Sequence, residues 1–180
     1  MASEEGGEIE YRTEYILTSN KKYAEIDERV RKTYPKSCIV SIEEIFNPFL
    51  LERYEQKRQK MIKEIGKYEE LELFHGTGSD RIDSISRNGF LKRLNVVSAF
   101  GKGNYFSPNA SYSFTYMKSN EFELSYMFLC NCLIGKTSTN KHSLECDTVL
   151  NRSENPDIYC IKSDDAIYPR YIIKFHMYAK

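Results

Sequence analysis

The stretch F-G-K-G-N-Y-F-S-P-N-A-S-Y-S-F-T-Y, residues 100–116, is the most informative part of this sequence of 180 residues. It holds six aromatic residues and two glycines in 17 positions. A buried strand would carry branched aliphatic residues, and an exposed loop would not need so many rings. Two interpretations follow: ordinary core, or the lining of a pocket for a flat ligand.

Composition argues against several functional classes. The chain has 26 basic and 26 acidic residues, which argues against a dedicated nucleic-acid module or another polyanion-binding surface. No apolar run approaches the roughly 20 residues of a membrane span, and the acidic start MASEEGGEIE is unlike a secretory signal. We therefore expect one intracellular domain, cytoplasmic or nuclear, with no membrane partner.

The five cysteines indicate free thiols, because they are odd in number and scattered. Cys130, Cys132, His142 and Cys146 could in principle surround zinc, but their spacing matches no common ligand pattern. The C-N-C segment is apolar around its asparagine, which favours core cysteines on a strand. We expect no metal.

Periodicity predicts an α+β fold around antiparallel sheets. Strands are expected within residues 8–19, 38–46, 70–74, 104–106, 122–134, 157–162 and 168–178, and helices within 21–34, from Asn47-Pro48 onwards, within 80–88 and from Asn109 onwards. Ser79 is expected to cap the third helix, Gly89 to end it, and H-G-T-G-S at 75–79 to form a turn. Residues 1–8 are expected to be a disordered lead.

Neither glycine motif identifies a nucleotide-binding loop. Gly76 and Gly78 follow a predicted strand, but a dinucleotide fingerprint needs a third glycine where Arg81 stands. G-K-G at 101–103 lacks the Ser or Thr of a phosphate loop. No serine or cysteine stands in a recognisable nucleophile setting. His75, at the end of a predicted strand, would more often be structural than functional if it stood alone.

Ser113 and Tyr116 are three residues apart, so a helical turn would put a hydroxyl and a ring on one face. That pair suits a flat ring bearing an amide, with stacking from one residue and a hydrogen bond from the other.

Several short motifs occur in one order along the chain: H-G-T at 75–77, G-K-G-x-Y-F at 101–106, A-S-Y-S-x-x-Y at 110–116, D-T-V at 147–149 and A-I-Y-P-R-Y-I-I-K-F at 166–175. Together they resemble the catalytic domain of the poly(ADP-ribose) polymerase family, the diphtheria-toxin-like ADP-ribosyltransferases. The resemblance covers residues 9–178. I-F-N-P-F-L-L-E-R-Y-E-Q-K-R-Q-K-M at 45–61 is similar to the helix before H-G-T in the mono-ADP-ribosylating branch.

The resemblance implies two packed, mostly antiparallel sheets with short flanking helices, in one catalytic domain over 9–180 without a helical autoinhibitory subdomain. It also implies NAD as co-substrate. His75 would hold a ribose, the Gly76 backbone would bond the nicotinamide amide, and Thr77 would lie near the adenine-side ribose.

Tyr105 would be the second member of the family's His-Tyr-Glu triad, with Ser113 bonding the nicotinamide carboxamide and Tyr116 stacking on its ring. The chain departs from the family at the third position, where Ile158 stands. In the family the glutamate goes with chain elongation, so His-Tyr-Ile implies transfer of a single ADP-ribose. Asn104 and Ser107 are smaller departures, at positions where valine or threonine and alanine are common.

The expected activity is therefore mono-ADP-ribosyl transfer from NAD to an acceptor, with a protein side chain, even on the chain itself, as the favoured class. Two alternatives stay open. One is a catalytically silent binding or scaffold module, which the presence of His75 and Tyr105 disfavours. The other is an enzyme that modifies nucleic-acid ends, which the absence of an evident basic patch disfavours.

Overall fold

The computed structural model describes residues 10–66, 68–95, 99–117 and 124–176. Within them the strands are β1 (Arg12–Tyr15), β2 (Ile39–Phe46), β3 (Glu69–Thr77), β4 (Asn104–Phe106), β5 (Leu124–Ile134), β6 (Thr137–Ser138), β7 (Thr148–Leu150), β8 (Tyr159–Ile161) and β9 (Ile167–His176). The α-helices are α1 (Lys21–Thr33), α2 (Pro48–Ile65), α3 (Ile82–Asn88) and α4 (Ala110–Phe114). The expected disordered lead, residues 1–8, lies outside the described residues.

The strands form two sheets, one of order β1-β2-β9-β5-β3 and one of order β4-β8-β7-β6. Every strand pair is antiparallel except β6 with β7. The prediction of an α+β fold with mostly antiparallel sheets is confirmed.

The five-stranded sheet is covered on both faces at strand β5. On β5, Phe128 and Cys130 belong to the core on the α2 side, whereas Met127 and Leu129 pack with α1 and α4 on the other face. This alternation follows the two-residue period of a strand. Because both faces are covered, β5 is apolar along almost its whole length, which is why the sequence predicts a strand within residues 122–134.

The cysteines behave as the sequence predicts. All five are free thiols, and Cys130 and Cys132 lie fully buried on β5. Cys146 belongs to a separate small cluster with Val149 and Cys160, and His142 is exposed. Among the described residues no three side chains of metal-binding type converge. The described helices include none that is long and apolar enough to cross a membrane.

Helix α2 begins where the sequence predicts. Asn47 accepts a hydrogen bond from Leu50 N at 3.1 Å, and Pro48 occupies the first turn. The Asn47 amide also donates to Ser86 O and Arg87 O, both at 2.9 Å. One side chain therefore caps α2 and fastens it to the end of α3.

The turn predicted after β3 was placed too early. His75, Gly76 and Thr77 continue β3 and pair with β5, because the neighbouring strand extends far enough to accept them. Ser79 opens a 3₁₀ turn and makes no capping bond, so its prediction as a helix cap was wrong. Gly89 does end α3, with φ of +75°.

Candidate active site

The two sheets meet at the end of β3, where a backbone bridge joins Phe74 to Ser107. Phe74 N donates to Ser107 O at 2.7 Å, and Ser107 N donates to Phe74 O at 3.0 Å. This bridge brings the last residues of β3 beside those of β4. H-G-T and N-Y-F, far apart in sequence, therefore lie next to each other.

His75 is held by the backbone of Tyr105. Its Nδ1 lies 2.8 Å from Tyr105 O, and since a carbonyl only accepts, Nδ1 carries the proton. The ring packs edge-on against Phe90, with centroids 4.8 Å apart, and tilted against Phe106. Burial lowers the pKa of His75 to about 4, the charge of Arg81 lowers it further, and the bond to Tyr105 opposes both. At neutral pH the imidazole is therefore uncharged.

This tautomer leaves Nε2 as an acceptor. No described residue donates a hydrogen bond to it. A neutral imidazole fixed through Nδ1 can accept a hydrogen bond through Nε2. A sugar hydroxyl could donate that bond.

Gly76 lies directly against α4. A Cβ on Gly76 would stand 1.8 Å from Ser113 O, so no other residue fits while the two backbones keep these positions. The Ser113 hydroxyl is buried and donates to Phe74 O at 3.0 Å. Because its proton is used in this bond, the Ser113 oxygen can accept a hydrogen bond from an amide NH₂ but cannot donate one to an amide carbonyl.

Tyr116 lies just beyond α4, in a turn closed by Tyr116 N donating to Ser113 O at 3.1 Å. Its side chain is 56% exposed, whereas Ser113 is buried. The two side chains thus differ in exposure, and their predicted shared face stays a prediction. An exposed aromatic ring within one turn of a buried hydroxyl suits a ligand that needs both stacking and a hydrogen bond.

Tyr112 contacts Tyr116, a contact that the sequence did not predict. Its hydroxyl is 3.0 Å from the Tyr116 hydroxyl, and the ring centroids are 5.4 Å apart. Burial and the Tyr116 hydroxyl raise the pKa of Tyr112. The four-residue spacing of the two tyrosines was the signal that could have revealed this contact.

Tyr105 uses its hydroxyl to fold the segment before it. The hydroxyl donates to Gly101 O at 2.7 Å and accepts from Phe100 N at 3.0 Å. Its carbonyl meanwhile receives the His75 bond. Tyr105 thus connects the start of the 100–116 stretch to β3.

Ile158 immediately precedes β8, whose first residue, Tyr159, pairs with Phe106 of β4. Ile158 N donates to Asn151 Oδ1 at 3.2 Å. The adjacent carboxylate, Asp157, is engaged by Arg152 at 2.7 Å and by the Asn109 amide at 3.0 Å. An apolar side chain therefore stands at this position, and the acid beside it is already paired.

The predicted site residues come together to different degrees. Direct contacts join His75 to Tyr105 and Gly76 to Ser113, and Tyr116 follows Ser113 by one turn. Thr77 is buried in the last position of β3.

Comparison with known proteins adds a family match. The model of the poly(ADP-ribose) polymerase catalytic domain matches residues 20–166. The chain is 30% identical over 169 residues to human protein mono-ADP-ribosyltransferase PARP14, covering 91% of this chain and 9% of that protein. It is 28% identical over 176 residues to human PARP12, covering 89% and 25%, and 27% identical over 204 residues to mouse PARP11, covering 94% and 62%. Both also carry the name protein mono-ADP-ribosyltransferase. The chain thus spans less than two thirds of each of these relatives.

Proposed function

The chain belongs to the poly(ADP-ribose) polymerase catalytic-domain family, and we propose that it is an NAD-dependent mono-ADP-ribosyltransferase. It would transfer one ADP-ribose to a protein side chain and release nicotinamide. The observation that carries this proposal is the convergence of His75, Gly76, Tyr105 and Ser113 at the junction of the two sheets. The names of its relatives, all protein mono-ADP-ribosyltransferases, support the same reaction class.

The nicotinamide ring would lie on Tyr116, whose exposed face suits stacking of a flat cation. Ser113 Oγ, with its own proton given to Phe74 O, would accept from the carboxamide NH₂. The Gly76 backbone, at the end of β3, would complete the amide contacts. These groups fit a planar amide because they offer an acceptor, backbone donors and an aromatic surface together.

His75 would accept a hydrogen bond from a ribose hydroxyl through Nε2, and Thr77 would lie near the adenine-side ribose. Because Nδ1 is fixed on Tyr105 O, the imidazole would hold this orientation before NAD arrives. A preorganised acceptor costs little entropy on binding.

The reaction breaks the bond between nicotinamide and the ribose carbon and forms a bond from that carbon to the acceptor atom. Nicotinamide leaves as a neutral molecule from a cationic pyridinium, so the transition state resembles an oxocarbenium ion. Positioning supplies most of the catalysis in such a displacement. The protein's role would be to fix the positions of the nicotinamide and the ribose on either side of the bond that breaks.

Ile158 argues for one transfer per acceptor site. An isoleucine cannot bond a ribose hydroxyl or activate it as the next nucleophile, and Asp157 beside it is paired with Arg152. With no carboxylate at this position, the general base that takes the proton of the attacking atom would have to come from the acceptor. Elongation into polymer needs the carboxylate that is missing here.

The experiment is incubation of the purified protein with NAD labelled in its adenylate part, with candidate acceptor proteins present. His75→Ala and Tyr116→Ala should abolish both label transfer and nicotinamide release. Matched controls are His142→Ala and Tyr15→Ala, which remove an exposed histidine and an exposed tyrosine of β1. Full activity in His75→Ala or Tyr116→Ala would refute the site, and a wild type that never releases nicotinamide would favour the silent module.

A further inference from the structure

Asn104, one of the departures from the family pattern, is almost completely buried and is hydrogen-bonded at both ends of its amide. Its side chain is 3% exposed. Its amide nitrogen donates to Asp164 Oδ1 at 2.8 Å, and its amide oxygen accepts from Asn95 Nδ2 at 2.9 Å. Both ends of this polar side chain are therefore satisfied inside the protein.

The same bonds join two parts of the chain that flank the site. Asn95 Nδ2 also donates to Gly103 O at 2.8 Å, so it holds the residue before Asn104 as well. Lys92 N donates to Asp164 Oδ1 at 3.0 Å. We call Asn95, Asn104 and Asp164 the asparagine clasp. Lys92 N and the Asn104 amide both donate to one carboxylate oxygen of Asp164, in the 3₁₀ turn before β9. Asn95 donates to Gly103 and Asn104 and so joins the same network.

The clasp acts on the strand that carries Tyr105. Asn104 directly precedes Tyr105 in β4, and Tyr105 in turn holds His75 through its carbonyl. At Gly103 a Cβ would lie 2.7 Å from both Cys160 Sγ and Ile161 O, so the backbone there is pressed against β8. The Tyr105 hydroxyl fastens Phe100 and Gly101, and the clasp fastens the other end of the same segment.

We infer that the asparagine clasp is a positioning device that preorganises residues 99–105 for NAD. This inference rests on the proposed function. A segment held in its binding conformation loses little entropy when the ligand arrives, whereas a released segment must be ordered at that moment. Loss of the clasp therefore weakens NAD binding more than it slows the chemical step, because Ser113 and Tyr116 keep their own hydrogen bonds and Tyr105, which holds His75, stays paired with Cys160 of β8.

The two bonds to Asp164 end on the same oxygen, and this gives a sharp pair of variants. Asp164→Asn keeps a carbonyl oxygen that can accept from both Lys92 N and Asn104 Nδ2. Asp164→Ala removes the acceptor altogether. A role in positioning predicts that the asparagine variant rescues what the alanine variant loses.

The test measures the NAD dissociation constant by calorimetry and KM and kcat by nicotinamide release, on the whole chain. Asn104→Leu and Asp164→Ala should raise Kd and KM by roughly five- to fiftyfold, the range expected for a broken buried hydrogen bond, with kcat changed less than about threefold. Asp164→Asn should stay within about threefold of wild type in all three. The control is Asn131→Leu on β5. This change removes a 3.2 Å hydrogen bond from the Asn131 amide to the Glu70 carboxylate and should leave Kd and KM unchanged.

Hydrogen exchange at residues 99–103 gives an independent readout. Exchange there should accelerate in Asn104→Leu and Asp164→Ala beyond any change in β5 and β9, and not in Asp164→Asn. If the wild type binds NAD and the two disrupting variants bind it equally well, the inference is wrong and the proposed function stands. If kcat falls while KM holds, or if Asp164→Asn behaves as Asp164→Ala, positioning of the NAD segment is also refuted. A wild type that does not bind NAD counts against the proposed function, and unchanged exchange in the variants would then separately refute the clasp.

Discussion

Replacing Gly76 with alanine tests the contact on which the site is built. The added Cβ would stand 1.8 Å from Ser113 O and 2.8 Å from Ser113 C. Real Cβ atoms essentially never approach within 3.0 Å, so β3 and α4 must separate by about 1.2 Å at this point. Backbone atoms on both sides prevent the relief that a flexible side chain would give.

Two magnitudes follow from this separation. Overpacking of a fitted contact costs roughly 1–3 kcal/mol of unfolding free energy. A displacement of about 1 Å between catalytic groups reduces rates on the order of a hundredfold. Gly76→Ala should therefore remain folded under mild conditions while losing about 99% of nicotinamide release, because Ser113 and Tyr116 move away from β3 together.

The assay is nicotinamide release from NAD, combined with urea unfolding of the same preparations. Gly78→Ala is the control: its backbone is extended, and its Cβ would meet only the Asp80 carboxylate oxygen at 2.5 Å, which can rotate away. Gly78→Ala should keep wild-type activity within a few fold. If Gly76→Ala retains wild-type stability and NAD turnover, the close contact of β3 with α4 does not determine the site.

Three further outcomes follow from individual contacts. His75 has a pKa of about 4 in the fold and about 6.5 when unfolded, so the stability it contributes is complete above about pH 6.5 and lost as pH falls towards 4. In urea unfolding at several pH values, the unfolding free energy should fall less steeply with decreasing pH in His75→Gln than in wild type. An equally steep fall would contradict the buried neutral histidine. Tyr112→Phe removes the hydroxyl 3.0 Å from Tyr116 and should weaken NAD binding about two- to tenfold, and calorimetry showing wild-type affinity would deny Tyr112 any role. Asn47→Ala removes a helix cap and two hydrogen bonds to α3, so it should lower the unfolding free energy measured in urea by about 2–4 kcal/mol. Asn20→Ala, whose side chain only caps α1, should lower it by about 1 kcal/mol. Equal losses would contradict the link between α2 and α3.

Local patterns were sufficient for most of the architecture. Asn47-Pro48 marks the start of α2 because a cap and a proline act on neighbouring residues. Strand β5 is evident because burial on both faces forces an apolar run. The short strands β6 and β7 were missed, since two or three residues carry too little periodicity and their pairing depends on distant partners.

The site was predicted through its motifs rather than its contacts. No local pattern shows that Tyr105 O fixes the His75 tautomer, because the two residues meet only through the bridge between the sheets. The position of Asn104 in a buried network could not be predicted for the same reason, since Asp164 is 60 residues away. The exposure of Tyr116 and the burial of Ser113 could not be predicted either, because they depend on where α4 ends.

The most direct test of the central claim is mass spectrometry of the acceptor after reaction with NAD. We expect nicotinamide release and attachment of one ADP-ribose unit per modified residue, both absent in His75→Ala. Chains of several units on one residue would contradict the role assigned to Ile158. Absence of nicotinamide release from the wild type with every acceptor offered would contradict the proposed activity itself.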